Sequence, residues 1–353
     1  MTYFYGQLFA MDSEIAAMFP AGLDAQRRRL FHALARLAAG QDDPANLTGY
    51  LERLGRAHRK DGVREKHFDA FRRALTATLH KYAGERWTED AEHAWEAAFA
   101  HAVTVMQDAA KRDAEQRPAW WIATVVRTEP RAPGVVVLTL RPDQPLSYLP
   151  GQHISVQTPH WPRQWRSYSI ANAPRPDGTL SLHVKAAEGG MVSHALVHHV
   201  VPGDPLILGA PEGIMTADPE SSRDLLCLAG GTGLAPIKAI VESIAATPPR
   251  GKRREIALYM GARRHRDLYD LTDLRELELA YPWLQVIPAV SDEPAHEVMH
   301  GTIPELAAKA SWPGRDIYIS GPDEMIVKTV RMLTDLGAPA ARLHYDVAGE
   351  SLT

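Results

Sequence analysis

One cysteine, Cys227, stands in the whole chain of 353 residues. That excludes an internal disulfide, a multi-cysteine metal cluster and a cysteine-ligated zinc site. No run of about eighteen apolar residues appears, so no membrane-spanning helix is expected, and no basic-then-apolar leader opens the chain. Neither sign of charge dominates: 39 Lys and Arg against 43 Asp and Glu give a formal net charge of −4. A chain so balanced has no electrostatic footing for nucleic acid. Repeats and low-complexity tracts are missing as well. What is present is a composition 45% hydrophobic, enough for two or three domains with proper cores. The expectation is a cytoplasmic monomer acting on small molecules, with Cys227 a core residue in a reducing compartment.

The texture changes once. Up to about residue 115 apolar residues recur with helical period, whereas strand-like segments begin at Ile122-Ala123-Thr124-Val125-Val126. The polar stretch Arg112 to Arg117, closed by Pro118, reads as a domain junction.

Two motifs follow. Arg166-Ser167-Tyr168-Ser169 reads as a strand whose alternation puts Arg166 and Tyr168 on one face. A guanidinium there can grip a pyrophosphate while a phenol ring covers an apolar ring system. Alone this is an ordinary amphipathic strand. The second motif, Gly230-Gly231-Thr232-Gly233-Leu234-Ala235-Pro236, lies between the apolar run Asp224–Ala229 and the helical stripe Ile237–Ile244. Strand, glycine turn and helix together present backbone N–H groups and a helix N-terminus to a phosphate. Pro236 and the lack of a Gly-Lys-Ser/Thr distinguish it from a Walker loop.

These motifs resemble those of the ferredoxin-reductase family, over the chain from about Trp120 to its end. Pro150-Gly151-Gln152-His153 resembles that family's strand before the flavin motif, and Gly189-Gly190-Met191-Val192-Ser193 its second flavin phosphate turn. Tyr259-Met260-Gly261-Ala262-Arg263 and Tyr318-Ile319-Ser320-Gly321-Pro322 resemble its later nucleotide-side strands, and His344-Tyr345-Asp346-Val347-Ala348-Gly349 its terminal strand. The resemblance implies FAD on His153, Arg166, Ser167, Tyr168, Ser169, Gly190, Met191, Val192 and Ser193. It implies NAD(P)H on Gly231, Thr232, Gly233, Leu234, Ala235, Pro236, Arg263, Gly321 and Pro322. Asp346, Val347 and Ala348 would border the flavin, with Ala348 where the family has an aromatic cover. Arg263 and Arg264 could meet a 2′-phosphate, a slight lean toward NADPH that leaves NADH open.

In the helical part, Gln26 and Leu30 are four residues apart on one helical face, and His58 lies on another helix that Asp61-Gly62 should stop. Such an arrangement could place a polar residue and a histidine on opposite walls of one pocket. This segment resembles the globin domain of the flavohemoglobins: Phe4-Tyr5-Gly6-Gln7-Leu8-Phe9 for the helix of the distal tyrosine, Gln26 and Leu30 for the distal glutamine and leucine, and Leu54-Gly55-Arg56-Ala57-His58 for the heme-ligating histidine.

What this implies is an all-α globin-like heme domain (1–115) lacking the family's first helix, an antiparallel β-barrel FAD domain (118–220) and an α/β doubly wound NAD(P)-binding domain (222–353). Heme b, FAD and NAD(P)H are the implied cofactors, with His58 on the iron, Tyr5, Gln26 and Leu30 lining the distal side, and O2 and nitric oxide as substrates of a nitric oxide dioxygenase. A flavin reductase serving an external acceptor and a heme oxygen sensor are the alternatives. By that resemblance Phe68 takes the place of a family tyrosine, and the position of the glutamate that helps polarise the proximal histidine falls at about Ala110. Loss of that carboxylate should raise the heme potential.

Overall fold

The computed structural model describes residues 1–346 except 21, 41–42, 219, 248–252 and 295–297. The chain forms two compact units, one built on Met1–Trp120 and the other on Trp121–Trp161 and the chain from Trp165.

The first unit is helical: α1 (Thr2–Met11), α2 (Ser13–Met18), α3 (Asp24–Ala39), α4 (Pro44–His58), α5 (Glu65–Ala83) and α6 (Glu89–Ala114). Local chemistry fixes their starts. Asp12 and Asp43 accept backbone N–H bonds at the heads of α2 and α4, Thr88 does so for α6, and Pro44 occupies the first turn of α4. After His58 the chain tightens into a 3-10 turn and leaves it at Gly62, whose φ of 72° suits glycine. Helix α3 is shared by two apolar clusters, giving Leu30 and Leu34 to the one around Phe4, Tyr5 and Leu8 and Leu37 to the one around Tyr50 and Leu51. Where α4 crosses α6, a Cβ on Gly55 would lie 2.2 Å from the carbonyl oxygen of Met106, so only glycine allows that approach.

The second unit begins with a curled antiparallel sheet in the order β4-β3-β6-β1-β2-β5. Its strands are β1 (Trp121–Ala132), β2 (Val135–Pro142), β3 (His153–Gln157), β4 (Arg166–Ser169), β5 (Leu180–Lys185) and β6 (Pro205–Leu208), with α7 (Met191–His198) between the last two. A bridge between Ile170 and Leu182 brings its two edges together, and Leu138, Ile154, Leu182 and Leu206 fill the interior.

A parallel sheet follows in the order β10-β9-β8-β7-β11-β12. It comprises β7 (Leu225–Gly230), β8 (Ile256–Ala262), β9 (Leu284–Val290), β10 (Met299–His300), β11 (Asp316–Ser320) and β12 (Leu343–Tyr345), joined by α8 (Leu234–Ala246), α9 (Leu271–Ala280), α10 (Ile303–Lys309) and α11 (Asp323–Asp335). Alternate residues of β7 feed opposite faces: Leu225 and Cys227 enter one core, Leu226 and Leu228 the other. Cys227 is fully enclosed there, and burial pushes its thiol up to about 12. Because the chain leaves β7 toward β8 and returns to its other side as β11, the order reverses between β7 and β11. In open α/β sheets ligands lie at the carboxyl ends of strands at such a reversal.

Candidate functional sites

The flavin motif is β4. It pairs antiparallel with β3, setting Ser169 opposite His153, Tyr168 opposite Ile154, Ser167 opposite Ser155 and Arg166 opposite Val156. Cross-strand partners share a face, so Arg166 and Tyr168 do lie on one side. Tyr168 packs against the barrel core, and burial raises its hydroxyl to about 12, which keeps it protonated. Arg166 is exposed, with one amino group on the backbone oxygen of Trp165 at 2.8 Å, and no carboxylate among the described residues pairs with it. A guanidinium left this way suits a phosphate. His153 is buried beside Gly213, with its Nδ1 4.0 Å from Asp346 Oδ2. Val347 and Ala348 lie outside the described residues.

Gly189 to Ser193 make the turn into α7. Gly189 has φ 68°, and a Cβ on Gly190 would meet Ser193 Oγ at 2.6 Å. Ser193 Oγ accepts the Ala187 N–H at 3.1 Å and donates to the Gly190 carbonyl at 3.0 Å, so its hydroxyl holds the turn in shape. The turn opens onto a cavity of about 480 Å³ that His160, Trp161, His194 and His199 line with Gly189, Gly190 and Met191. These imidazoles and the indole are not among the residues that the sequence singles out. No local pattern marks them, because the fold alone carries residues 160 and 161 to the side of α7.

The nucleotide turn fits a pyrophosphate by its shape. Gly231 has φ 54° and open space where a side chain would stand, whereas a Cβ on Gly233 would collide with the Ser320 backbone at 2.4 Å. A Cβ on Gly321 would lie 3.1 Å from Gly230. The Gly231–Gly233 turn after β7 and the Gly321-Pro322 turn after β11 are thus in contact at the point where strand order reverses. Leu234, Ala235 and Pro236 are buried in the first turn of α8, with the backbone amides of the turn ahead of them. Arg263 and Arg264 are exposed at the end of β8, the strand next to β7.

In the helical unit, Tyr5 and Leu30 meet in one apolar cluster although they come from α1 and α3. Tyr5 is 4% exposed, with Phe4, Phe9 and Phe19 against its ring. Burial raises its hydroxyl to about 12 against the opposing pull of Arg27, so it remains an O–H donor. Gln26 sits half-buried on α3, one turn before Leu30. His58 closes α4, its Nδ1 2.7 Å from the Leu54 carbonyl. A carbonyl can only accept, so that nitrogen carries the ring proton and Nε2 keeps the lone pair an iron needs. His58 thus has the free nitrogen that a heme iron would take. Beside His58 a cavity of about 120 Å³ is lined by Phe68, Met106, Gln107 and Ala110, so the two departures from the family pattern leave space next to the histidine.

The stretch expected as a polar junction is more structured than its composition suggests. Asp113 is buried at 8% exposure, ion-paired with Arg59 and with Arg117 at 2.7 Å. His67 caps α5 by accepting the Arg64 N–H at 3.1 Å, a structural use.

Comparison with known proteins gives three domain matches: globin over residues 2–106, an oxidoreductase FAD-binding domain over 134–216 and an oxidoreductase NAD-binding domain over 227–331. The flavohemoprotein of Bordetella pertussis is 28% identical, the alignment covering 98% of this chain and 92% of that one. The ferredoxin–NAD(P)(+) reductase CarAd of Metapseudomonas resinovorans is 30% identical over 64% of this chain and 68% of its own length. Among solved structures, the flavohemoglobin from Malassezia yamatoensis with bound FAD and heme has the same fold, with a TM-score of 0.81 at 18% identity over 98% of this chain and 92% of that chain.

Proposed function

Since the chain belongs to the flavohemoglobin family and carries its globin, FAD-binding and NAD-binding domains in that order, we propose that it is a nitric oxide dioxygenase, making nitrate from NO, O2 and one electron. That it is an NAD(P)H-dependent oxidoreductase of FAD and heme rests on the domains themselves; the substrates are the proposed part. Bound to these sites, NAD(P)H supplies hydride, FAD a conversion to single electrons, and heme an iron at which O2 and NO can meet.

The residues then have definite work. The amides from Gly231 to Leu234 hold the nucleotide pyrophosphate, with Ala235 and Pro236 fixing the helix behind them, Gly321 and Pro322 as the floor and Arg263 toward the ribose. Arg166 and the Gly190–Ser193 turn hold the FAD phosphates, Tyr168 covers the ring system, and Ser167, Ser169, His153 and Asp346 border it. His58 ligates through Nε2. Tyr5 and Gln26 donate hydrogen bonds on the opposite side, where developing negative charge is worth most to stabilise, and Leu30 excludes water. The domain limits 1–115, 118–220 and 222–353 belong to the same proposal.

One observation carries the reading: Tyr5, kept protonated by burial, shares a cluster with Leu30 of the helix bearing Gln26. The test is a spectrum of the purified protein followed by mixing its oxygenated form with NO. A Soret band that shifts on adding NAD(P)H, disappears in His58→Ala and is followed by stoichiometric nitrate supports the proposal. A flavin-only spectrum after expression with ample heme would sink it. The second reading, a reductase for an external acceptor, is favoured by the 30% identity to the ferredoxin reductase, slightly above that to the flavohemoprotein. It gains if NAD(P)H-dependent reduction of an added one-electron acceptor persists unchanged in His58→Ala while NO consumption is absent from the parent.

A further inference from the structure

Helix α8 begins at the nucleotide turn, and four residues into it Lys238 places Nζ 2.6 Å from Asp270 Oδ2 and 3.5 Å from Asp273 Oδ2. The Asp270 side chain is 0% exposed and that of Lys238 12%. Arg131, at the end of β1, sets its two amino groups on the two oxygens of Asp273 at 3.1 Å each, and one of them 3.8 Å from Asp270 Oδ1. Next to Asp270, the Tyr269 hydroxyl lies 2.7 Å from Nδ1 of His183 on β5. Burial lowers His183 to about 4, so the ring is neutral and its Nδ1 can accept a hydrogen bond from the Tyr269 hydroxyl. One turn beyond Lys238, on the same face of α8, Glu242 accepts the Ala173 N–H at 3.1 Å. Strand β1 thus grips the start of α9 through Arg131, β5 adds the neutral His183–Tyr269 hydrogen bond just before it, and α8 is tied to the same carboxylates by Lys238.

A buried ion pair is a poor stabiliser. Apolar residues of similar volume commonly do as well or better, since desolvation consumes the attraction. Asp270 Oδ1 even lacks a hydrogen-bond partner, a cost that polar burial usually avoids. What such a pair supplies is register. A short, directional contact sets both the rotation of α8 and its position along its own axis, where a greasy face would tolerate sliding.

We propose that Lys238 and Asp270 are positioning residues for hydride delivery: by tying α8 to the carboxylates that Arg131 of the barrel also holds, they keep the Gly231–Leu234 phosphate turn at a fixed distance from the flavin motif. Neither belongs to the glycine turn or to the flavin motif, and they act through the helix that carries the turn. Displacements near 1 Å at a reacting centre are costly, whereas phosphate contacts move with the turn and survive. Lys238→Met should therefore keep its FAD and bind NAD+ within about threefold of the parent, yet reduce flavin about 10- to 100-fold more slowly at saturating NADH.

The experiment measures three quantities on the FAD-replete full chain: flavin reduction by stopped flow, NAD+ affinity by calorimetry with NAD+ as probe, and amide hydrogen exchange over Gly231–Leu234. Slower reduction, unchanged NAD+ affinity, faster exchange in the turn and recovery of the rate in Lys238→Arg support the proposal. A parental reduction rate in Lys238→Met, or a rate loss matched by an equal loss of NAD+ affinity, overturns it. Should Lys238→Met fail to fold, Asp273→Asn removes only the half-exposed limb of the network, and the same criteria apply to it. Reduction of flavin precedes any heme step, so the outcome is independent of whether NO is the substrate.

Discussion

In the reductase unit, Gly233 cannot bear a Cβ because Ser320 lies 2.4 Å from where it would stand, and the proposed site is a shape made of backbone. In the helical unit, Tyr5, Gln26 and His58 are single side chains on three helices, each set by the packing of its own helix. The difference teaches where each site is vulnerable. A backbone cradle is lost through added volume, and a side-chain site through lost chemistry.

Four substitutions probe this contrast, in descending order of effect. Gly233→Ala should lower NAD(P)H-driven flavin reduction about 100-fold or more by displacing the turn, with the heme spectrum intact; a rate within a factor of two of the parent would show that the turn has slack. Gly55→Ala is the helical unit's own volume test, since its Cβ would meet Met106 at 2.2 Å. We expect about 1–3 kcal/mol of destabilisation in urea titration, together with weaker heme retention. If stability is unchanged, the tight crossing of α4 and α6 does not position His58. Tyr5→Phe removes one donor and no volume, so the O2 release rate should rise about fivefold, one net hydrogen bond, and an unchanged rate would remove Tyr5 from the distal side. The smallest change is expected for His194→Ala, which should weaken FAD binding about two- to fivefold if the imidazole reaches a phosphate. FAD titration of the apoprotein measures it, and equal affinities would assign the cavity beside α7 to something other than the dinucleotide.

The glycine turns were legible because sterics leave no other residue there: a short apolar run ending in Gly230 and Gly231 implies β7, the turn and α8 with little ambiguity. The Tyr168 face and the break at Gly62 that follows α4 were legible for similar local reasons. Lys238, Asp270 and His183 were not. In sequence each reads as an ordinary surface residue, and only the packing of the barrel against α8 and α9 takes them out of water. Asp113 misleads in the same manner, since a polar stretch ending in proline suggests exposure while its carboxylate is buried between Arg59 and Arg117. The cavity beside His58 is an intermediate case. Phe68 and Ala110 announce missing polar groups, but whether neighbours close the gap depends on α4 and α6, and they leave about 120 Å³.

The contact of Gly233 with Ser320 also has a meaning in time. The nucleotide cradle joins the loop after β7 to one that the ribosome makes only after β8, β9 and β10, so its closure waits on long-range pairing, the slow part of folding a parallel sheet. The six helices α1 to α6 lie upstream and can form while the electron entry is still being built. A growing chain would thus have the means to bind a heme before it has the means to reduce one.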